Sequence, residues 1–321
     1  PSQHDGKDAA MIAELTAFGK GKAWPFTERS ETEQQIDHYV QRIDAYRKQM
    51  SMWVGRLEGL AARHWPELTE LLSLSSVTLL QLLARYGSPA EVLLDPGASE
   101  QLARWSRGRL SSSKIAGILS SAKATHGVPV CPAERKWIQE IAAEGLSAYR
   151  KVQQCERALE SLAGDHQGIQ QLSSLGIVTM CVLWSVVGDP RDYDSAGAYL
   201  KAFGLNLKER SSGKRVGQLA ITKRGPSLAR RWLFFAALRA VQRPEVKPWY
   251  LALQARDPKH GKMKGLVGVM RKLCRSIWHV SQTGETFAWE KVFPGEPLLA
   301  TSDDCLRSRS AGVPVPLLFC S

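Results

Sequence analysis

Two adjacent serines lie among cations in the C-terminal half of the chain. The segment reads Arg210-Ser211-Ser212-Gly213-Lys214-Arg215. We predict a small flexible turn here, because its backbone N–H groups and its cationic side chains could hold a phosphate. A serine in such a turn could attack the bound phosphorus if its proton is removed. The spacing alone favours a plainer interpretation, in which the loop grips DNA phosphates through Lys214 and Arg215 without reacting.

Two aspartates near the start of the chain are the second candidate for chemistry. Asp5 and Asp8 stand three residues apart and precede a largely apolar run over residues 9–15. A spacing of three places two side chains on one helix face, and hard cations such as Mg²⁺ prefer carboxylate oxygens. The pattern itself favours helix capping over metal binding, since aspartates near a helix start commonly bind free N–H groups and complement the dipole.

Positive charge is concentrated in one block of the sequence. The chain has 43 Lys and Arg against 31 Asp and Glu, a net charge of +12. Residues 201–280 contain 19 Lys and Arg against three acids, a local excess of 16. Such a block is typical of proteins that neutralise nucleic-acid phosphates, so we expect Lys223, Arg224, Arg230 and Arg231 to contact a phosphate backbone. A solvated basic face is the alternative, and a membrane surface is less favoured because the cations span several elements.

Long helices are predicted upstream of this block. Ser30 and Glu33 fit a capping box, and an apolar heptad seam follows it, which favours one long helix. A second seam follows Pro132. Two seams in one chain indicate an antiparallel coiled-coil hairpin, although pairing with another subunit is equally allowed. The seam positions are Ile36, Tyr39, Ile43, Tyr46, Met50, Trp53, Leu57 and Leu60 in the first, and Ile138, Ile141, Ala148, Val152, Cys155, Leu159 and Leu162 in the second.

The remaining segments complete a mainly α prediction. Residues 68–124 indicate short helices broken at Gly87-Ser88-Pro89 and Asp95-Pro96-Gly97, a module within residues 67–130 for which the sequence names no chemistry. After Ile169 the pattern indicates compact helices with tight turns. We expect little order in residues 294–321. The predicted helices of the C-terminal part cover residues 177–187, 196–203, 226–242, 248–256 and 265–281.

Several protein classes are excluded by composition. The six cysteines form no CxxC pair and no two histidines stand four apart, so the sequence supports neither a zinc site nor a redox pair. We expect reduced thiols in a cytoplasm. The start of the chain is polar, and the most apolar stretch, residues 172–188, is too short to span a bilayer. The chain begins at Pro1 with no Met, so a missing upstream part is expected.

Six short motifs occur in an order that resembles the C-terminal domain of the DEDD transposases, enzymes of bacterial insertion sequences related to the pilin-gene invertases. The resemblance covers about residues 169–293, and Asp5-Gly6-Lys7-Asp8-Ala9 looks like the late Asp-x-x-Asp-Ala pair of that family. The motifs are Leu175-Gly176-Ile177, Gly188-Asp189-Pro190, Tyr199 to Leu205, Ser211-Ser212-Gly213-Lys214, Ile221-Thr222-Lys223-Arg224-Gly225 and Leu228-Ala229-Arg230-Arg231.

This resemblance implies a two-part active site. A ribonuclease-H-like (RuvC-like) domain with four acids and Mg²⁺ would end within residues 1–26, where Asp5 and Asp8 would be the last two acids. The first two acids are expected upstream of Pro1. A coiled-coil hairpin would occupy residues 27–168, and a transposase domain over 169–293 would carry Ser212 as the nucleophile, with Ser211 as its rival.

The partners implied are donor DNA, target DNA and a structured noncoding guide RNA. We expect a homo-oligomer, a dimer or a tetramer, assembled through the coiled coil in the bacterial cytoplasm near the nucleoid. The leading functional hypothesis is a DNA recombinase. A truncated, noncatalytic nucleic-acid-binding remnant and a metal-dependent nuclease without strand joining are the alternatives.

Overall fold

The computed structural model describes residues 5–20, 29–212 and 215–294, with the side chains of 5–8 and 210–218 outside the description. Short 3₁₀ turns separate several of the helices. The helices are α1 (Asp5–Ala17), α2 (Glu31–His64), α3 (Pro66–Leu71), α4 (Val77–Tyr86), α5 (Pro89–Leu94), α6 (Ala98–Ser106), α7 (Ser112–Lys123), α8 (Pro132–Leu162), α9 (Gln167–Gln170), α10 (Ile177–Val187), α11 (Ala196–Ala202), α12 (Ser227–Ala240), α13 (Lys247–Ala255), α14 (Gly261–Thr283) and α15 (Trp289–Val292).

The two longest helices of the first half, α2 and α8, pack against each other. The predicted capping box starts α2: the Glu33 N–H donates to Ser30 Oγ at 3.3 Å, and the Ser30 N–H donates to Glu33 Oε2 at 2.9 Å. Arg47 in the middle of α2 pairs with Glu156 near the end of α8, and Arg63 near the end of α2 pairs with Glu134 near the start of α8, so the two helices run antiparallel. The predicted hairpin within one chain is therefore confirmed, while coiled-coil geometry and pairing between subunits stay predictions.

A small helical module connects the far ends of α2 and α8. The predicted breaks are confirmed, because α4 ends at Gly87, whose φ of 68° suits a residue without Cβ, and Ser88 caps α5. The second break separates α5 from α6 at residues 95–97. Helices α3 to α7 share a buried core with Leu57 of α2 and Leu146 of α8. The module is thus built onto the closed end of the hairpin.

The C-terminal helices pack on the other end of the same hairpin. The five helices predicted here are present as α10 to α14, with α14 starting four residues earlier than expected. Their core includes Ile36 and Ile43 of α2 as well as Val152 and Leu159 of α8. The apolar seams therefore serve two cores, one at each end of the hairpin. The domain limits, including a RuvC-like end within residues 1–26, stay predictions.

One expectation for this region is corrected in its extent. The predicted turn extends over fewer residues than expected, because β1 (Leu207–Ser212) and β2 (Arg215–Ile221) pair as an antiparallel β-hairpin, and the two residues between them lie outside the description. Strand pairing satisfies backbone groups that a polar loop would leave to water, and this depends on a partner strand rather than on local propensity. The mainly α prediction holds for the described residues outside this hairpin.

Three further expectations from the sequence can be compared with the structure only over the residues that it describes. Cys131, Cys155, Cys181 and Cys274 stand unpaired among the described residues, and their reduced state stays a prediction. Within the described ranges, no helix is both long and apolar enough to cross a membrane. The expected disorder of residues 294–321 concerns a segment that, after Pro294, lies outside the description.

Candidate active site and nucleic-acid interface

The β-hairpin carries the two candidate nucleophiles at the end of β1. Leu207 pairs with Ile221 at its base, and Ser212 pairs with Arg215 beside the two-residue connection. The register is irregular between Arg210 and Ser212, which puts Ser211 at the irregular position. The pairing therefore brings Ser212 and Arg215 together along the backbone, while Lys214 falls outside the described residues.

The base of this hairpin is fastened to the end of α11. The Thr222 N–H donates to Asn206 O at 3.0 Å, and the Thr222 hydroxyl donates to Asn206 Oδ1 at 2.6 Å. The next residue, Lys223, adopts a φ of 56° and donates its N–H to Gly204 O at 2.9 Å. These bonds hold the strand ends together and turn the chain sharply toward α12.

Two glycines let the loop after β2 approach α11 backbone to backbone. A Cβ on Gly204 would lie 2.4 Å from Arg224 O, and a Cβ on Gly225 would lie 2.3 Å from Ala202 O. Real Cβ atoms do not approach so closely, and both glycines have positive φ, so the contact requires glycine at both positions. Lys223 and Arg224 are exposed on the outside of this contact.

Arg230, one of the predicted phosphate ligands, forms hydrogen bonds to both segments of this backbone contact. Its Nη1 donates to Gly225 O at 2.7 Å and to Phe203 O at 3.2 Å. A guanidinium that bridges two carbonyls of different segments stabilises the loop, as hydrogen bonds from charged donors are among the stronger ones. Arg230 therefore positions the loop that carries Lys223 and Arg224, and a phosphate contact by Arg230 stays a prediction.

Arg231, the neighbouring candidate, faces the hairpin of long helices. Its Nη2 lies 2.8 Å from Asp44 Oδ1 on α2. The arginine is 46% exposed, so the pair connects α12 to α2 at the surface without removing the cation from solvent. The structure thus gathers Lys223, Arg224 and Arg230 around one loop and directs Arg231 toward α2.

Asp5 and Asp8 lie in the first two turns of α1, as the sequence predicted. Their side chains are outside the description, so the joining of the aspartates and Ser212 in one site stays a prediction. Carboxylates suit Mg²⁺, which wants about six oxygen ligands including water. Among the described residues, no group of three or more His, Cys, Asp or Glu could hold a metal ion. The two aspartates are chemically suitable ligands for Mg²⁺.

Several other cations were not among the predicted phosphate ligands, and two of them, on α14, are half-buried. On α14, burial lowers the pKa of Arg271 and of Lys272, and the charge of Arg275 lowers that of Arg271 further. The Lys272 ammonium lies 4.9 Å from the ring centroid of Trp249. Arg47 and Arg239 line a surface groove beside α12. The sequence did contain a signal for Arg239 as a surface cation, since it follows Arg231 at helical spacing. It contained no such signal for Arg47, which lies outside the basic block.

Comparison with known proteins finds transposases of insertion sequences. Residues 166–251 match the model of the Transposase IS116/IS110/IS902 family. The transposase of insertion sequence element IS1328 from Yersinia enterocolitica is 27% identical over 143 residues, 43% of each chain. The transposase of element IS1111A from Coxiella burnetii is 25% identical over 170 residues, 51% of this chain and 46% of the relative.

The matched segment includes α10, α11, α12 and the β-hairpin that carries Ser211 and Ser212, here called the serine hairpin. The chain spans a little under half the length of these curated relatives. Over residues 166–251, which hold the serine and cation candidates, the chain matches the family model, and it is similar to transposases of two bacterial insertion sequences.

Proposed function

We propose that this chain is a DNA transposase of the DEDD type, a recombinase that cuts and rejoins DNA at the ends of an insertion sequence. The observation that carries the proposal is the place of Ser212: it ends a strand, pairs with Arg215, and lies within the segment that matches a transposase family. The exposed Lys223 and Arg224 beside the hairpin add positive charge suited to a DNA backbone.

The proposed chemistry consists of two transesterifications. In the first, the Ser212 hydroxyl loses its proton and its oxygen attacks the scissile phosphorus; the departing strand oxygen takes up a proton, leaving a phosphoserine ester. In the second, a strand hydroxyl attacks the same phosphorus and Ser212 regains its proton. Each step breaks one phosphate ester and forms another, so no nucleotide cofactor is needed. Lys214 and Arg215 would neutralise charge that develops on the phosphate.

Asp5 and Asp8 would contribute two carboxylates to a Mg²⁺ site. Mg²⁺, when bound, supplies polarisation of the phosphate and so favours attack by a hydroxyl. The spacing of three in α1 supports a shared ion, because both positions lie on one helix face. We expect Asp5→Asn or Asp8→Asn to abolish recombination with an unchanged melting temperature. Wild-type rates in the presence of EDTA would contradict the metal role.

The partners follow from the same proposal. Donor and target DNA would lie across the basic region, and a structured noncoding RNA would select both sequences by base pairing. A dimer or a tetramer formed through α2 and α8 would bring two ends together, in the bacterial cytoplasm near the nucleoid. Loss of recombination on ribonuclease treatment, with DNA binding retained, is the expected sign of the guide.

Trapping the covalent intermediate tests the proposal. The protein is incubated with DNA carrying the element ends, denatured, and examined for protein–DNA adducts. We expect adducts from the wild type and from the control Ser227→Ala, a serine exposed at the start of α12, and none from Ser212→Ala. Adducts that persist in Ser212→Ala but vanish in Ser211→Ala would move the nucleophile to Ser211. Adducts in both single variants and in the double variant would refute serine catalysis.

A noncatalytic nucleic-acid-binding protein is the second candidate. It is favoured by the exposed cations Lys223 and Arg224, which suit a phosphate backbone whether or not a reaction follows. This candidate predicts salt-dependent DNA binding by the wild type without adducts and without strand exchange. A nuclease without strand joining predicts cleavage that survives in Ser212→Ala.

A further inference from the structure

A surface groove between α2 and α12 has a cavity of about 350 Å³. This volume falls in the range of roughly 300–1,000 Å³ that is common for small-molecule sites, large enough for one nucleotide. Two guanidinium groups, one amide and three apolar side chains line it. They are Arg47, Trp232, Phe235, Leu238, Arg239 and Gln242.

The walls of the groove are held in place by contacts of their own residues. Arg47 lies with its guanidinium carbon 4.7 Å from the ring centroid of Trp232 and forms an ion pair with Glu156 at 2.8 Å. On the opposite wall, Arg239 Nη2 donates to Thr179 Oγ1 at 2.9 Å. These contacts fix both arginines without a ligand, so the groove is formed in advance and binding loses little side-chain entropy.

The exposed part of the groove is apolar and aromatic. Phe235 is 40% exposed and Leu238 is 37% exposed, whereas several other apolar residues of the same helix, α12, are buried. An exposed ring in a groove that two arginines also line suits a ligand that is both flat and anionic. A nucleotide has both properties, because its base can stack on an aromatic ring and its phosphate can approach a guanidinium.

We propose that this groove binds an unpaired nucleotide of a nucleic-acid strand, with the base stacked on Phe235 and the phosphate near Arg47 and Arg239. Bases inside a duplex are stacked on each other and cannot reach the ring, so the groove selects single-stranded positions. The proposal rests on the proposed nucleic-acid function, but the transposase reaction does not require it. DNA and RNA share the recognised chemistry.

Binding of short homopolymers tests the groove. The affinity of the full chain is measured for a ten-nucleotide oligothymidylate, for oligouridylate of the same length, and for a ten-base-pair duplex at one salt concentration. Phe235→Leu removes the ring and keeps an apolar side chain. We expect it to weaken single-strand binding roughly 5- to 150-fold, the value of one base–aromatic stack, with duplex binding unchanged. Phe235→Trp should retain single-strand binding.

The control variant is Leu251→Ala, which removes an exposed apolar side chain of α13 outside the groove. It should bind all three probes as the wild type does. A larger loss for oligothymidylate than for oligouridylate would identify DNA as the source of the nucleotide, and the reverse would identify RNA.

Each of the following results would overturn the proposal. Phe235→Leu could bind the single strands as tightly as the wild type, or lose duplex and single-strand binding equally. It could instead leave binding intact and change the oligomeric state, which would show that a second copy of the chain covers the groove. Wild-type binding to duplex but not to single strands would refute the groove alone, whereas failure to bind any probe would refute the proposed DNA function.

Discussion

Gly204 is where a single added methyl group should separate α11 from the loop that carries Lys223 and Arg224. It ends α11 in a Schellman motif: the Leu205 N–H donates to Leu200 O at 3.2 Å and the Gly204 N–H donates to Lys201 O at 2.8 Å. Its φ is +67°, and the space beside its Cα is filled by the backbone of Arg224. Gly204→Ala therefore meets two separate penalties.

The two penalties have different causes and can be measured separately. An L-residue in the left-handed region costs about 1–2 kcal/mol. The Cβ would also lie 2.4 Å from Arg224 O and 2.6 Å from Arg224 N, and this contact is with backbone that cannot rotate away. Overpacking of this kind costs about 1–3 kcal/mol, so we expect a total loss of about 2–5 kcal/mol of unfolding free energy. Gly284→Ala is the matched control, since Gly284 has φ +72° and open space around its Cα.

Urea unfolding of both variants against the wild type measures the difference. Gly284→Ala should lose only the conformational term of about 1–2 kcal/mol. Gly204→Ala should lose more, and at temperatures where it stays folded it should bind DNA more weakly because the loop with its two cations is displaced. Equal losses in the two variants would refute the close backbone approach, and unchanged DNA binding would remove this loop from the interface.

The remaining predictions concern three side chains of the C-terminal half. Arg231→Gln breaks the exposed pair with Asp44 and should cost about 0–1 kcal/mol, while the slope of log affinity against log salt falls by about 0.9 if the arginine contacts a phosphate. Arg230→Gln should cost about 1–3 kcal/mol in chemical unfolding, because two carbonyls lose a charged donor; an unchanged stability would make its role purely one of binding. Hydrogen bonding from Lys264 lowers the pKa of Asp257 to about 2, below its unfolded value, so its contribution is present above about pH 4 and lost as the pH falls toward 2. Asp257→Asn should therefore have a flatter acid-unfolding curve than the wild type, and parallel curves would contradict the shift.

The cationic part of the candidate site was predictable because charge is a property of composition. Lys223 and Arg224 are exposed on the loop after β2, as a phosphate-binding role requires. Arg230 was assigned the same role from its neighbours in sequence, yet its described bonds run to Phe203 O and Gly225 O. Sequence spacing cannot distinguish a cation that holds a loop from one that holds a ligand, because the difference depends on which carbonyls fold against it.

The serine hairpin shows where local reasoning was insufficient. Lys, Glu, Ser and Gly are poor strand formers, so residues 207–218 carry little strand propensity. The sequence signal for a hairpin was the presence of Gly213, since glycine is common in the connections of tight β-hairpins. Whether such polar strands form depends on cross-strand hydrogen bonds and on the Asn206–Thr222 bonds that fasten their ends.

The sequence by itself determined the elements whose stability is local or periodic. The capping box at Ser30, the helices of the two apolar seams and the glycine and proline breaks of the inserted module all follow from short-range hydrogen bonding and from a helical repeat. Tertiary structure alone decided what those faces meet: one end of the α2–α8 pair enters the C-terminal core and the other enters the module. It also decided the backbone contact at Gly204 and the groove beside Phe235, because both join segments far apart in the chain, and no short-range pattern encodes the distance between them.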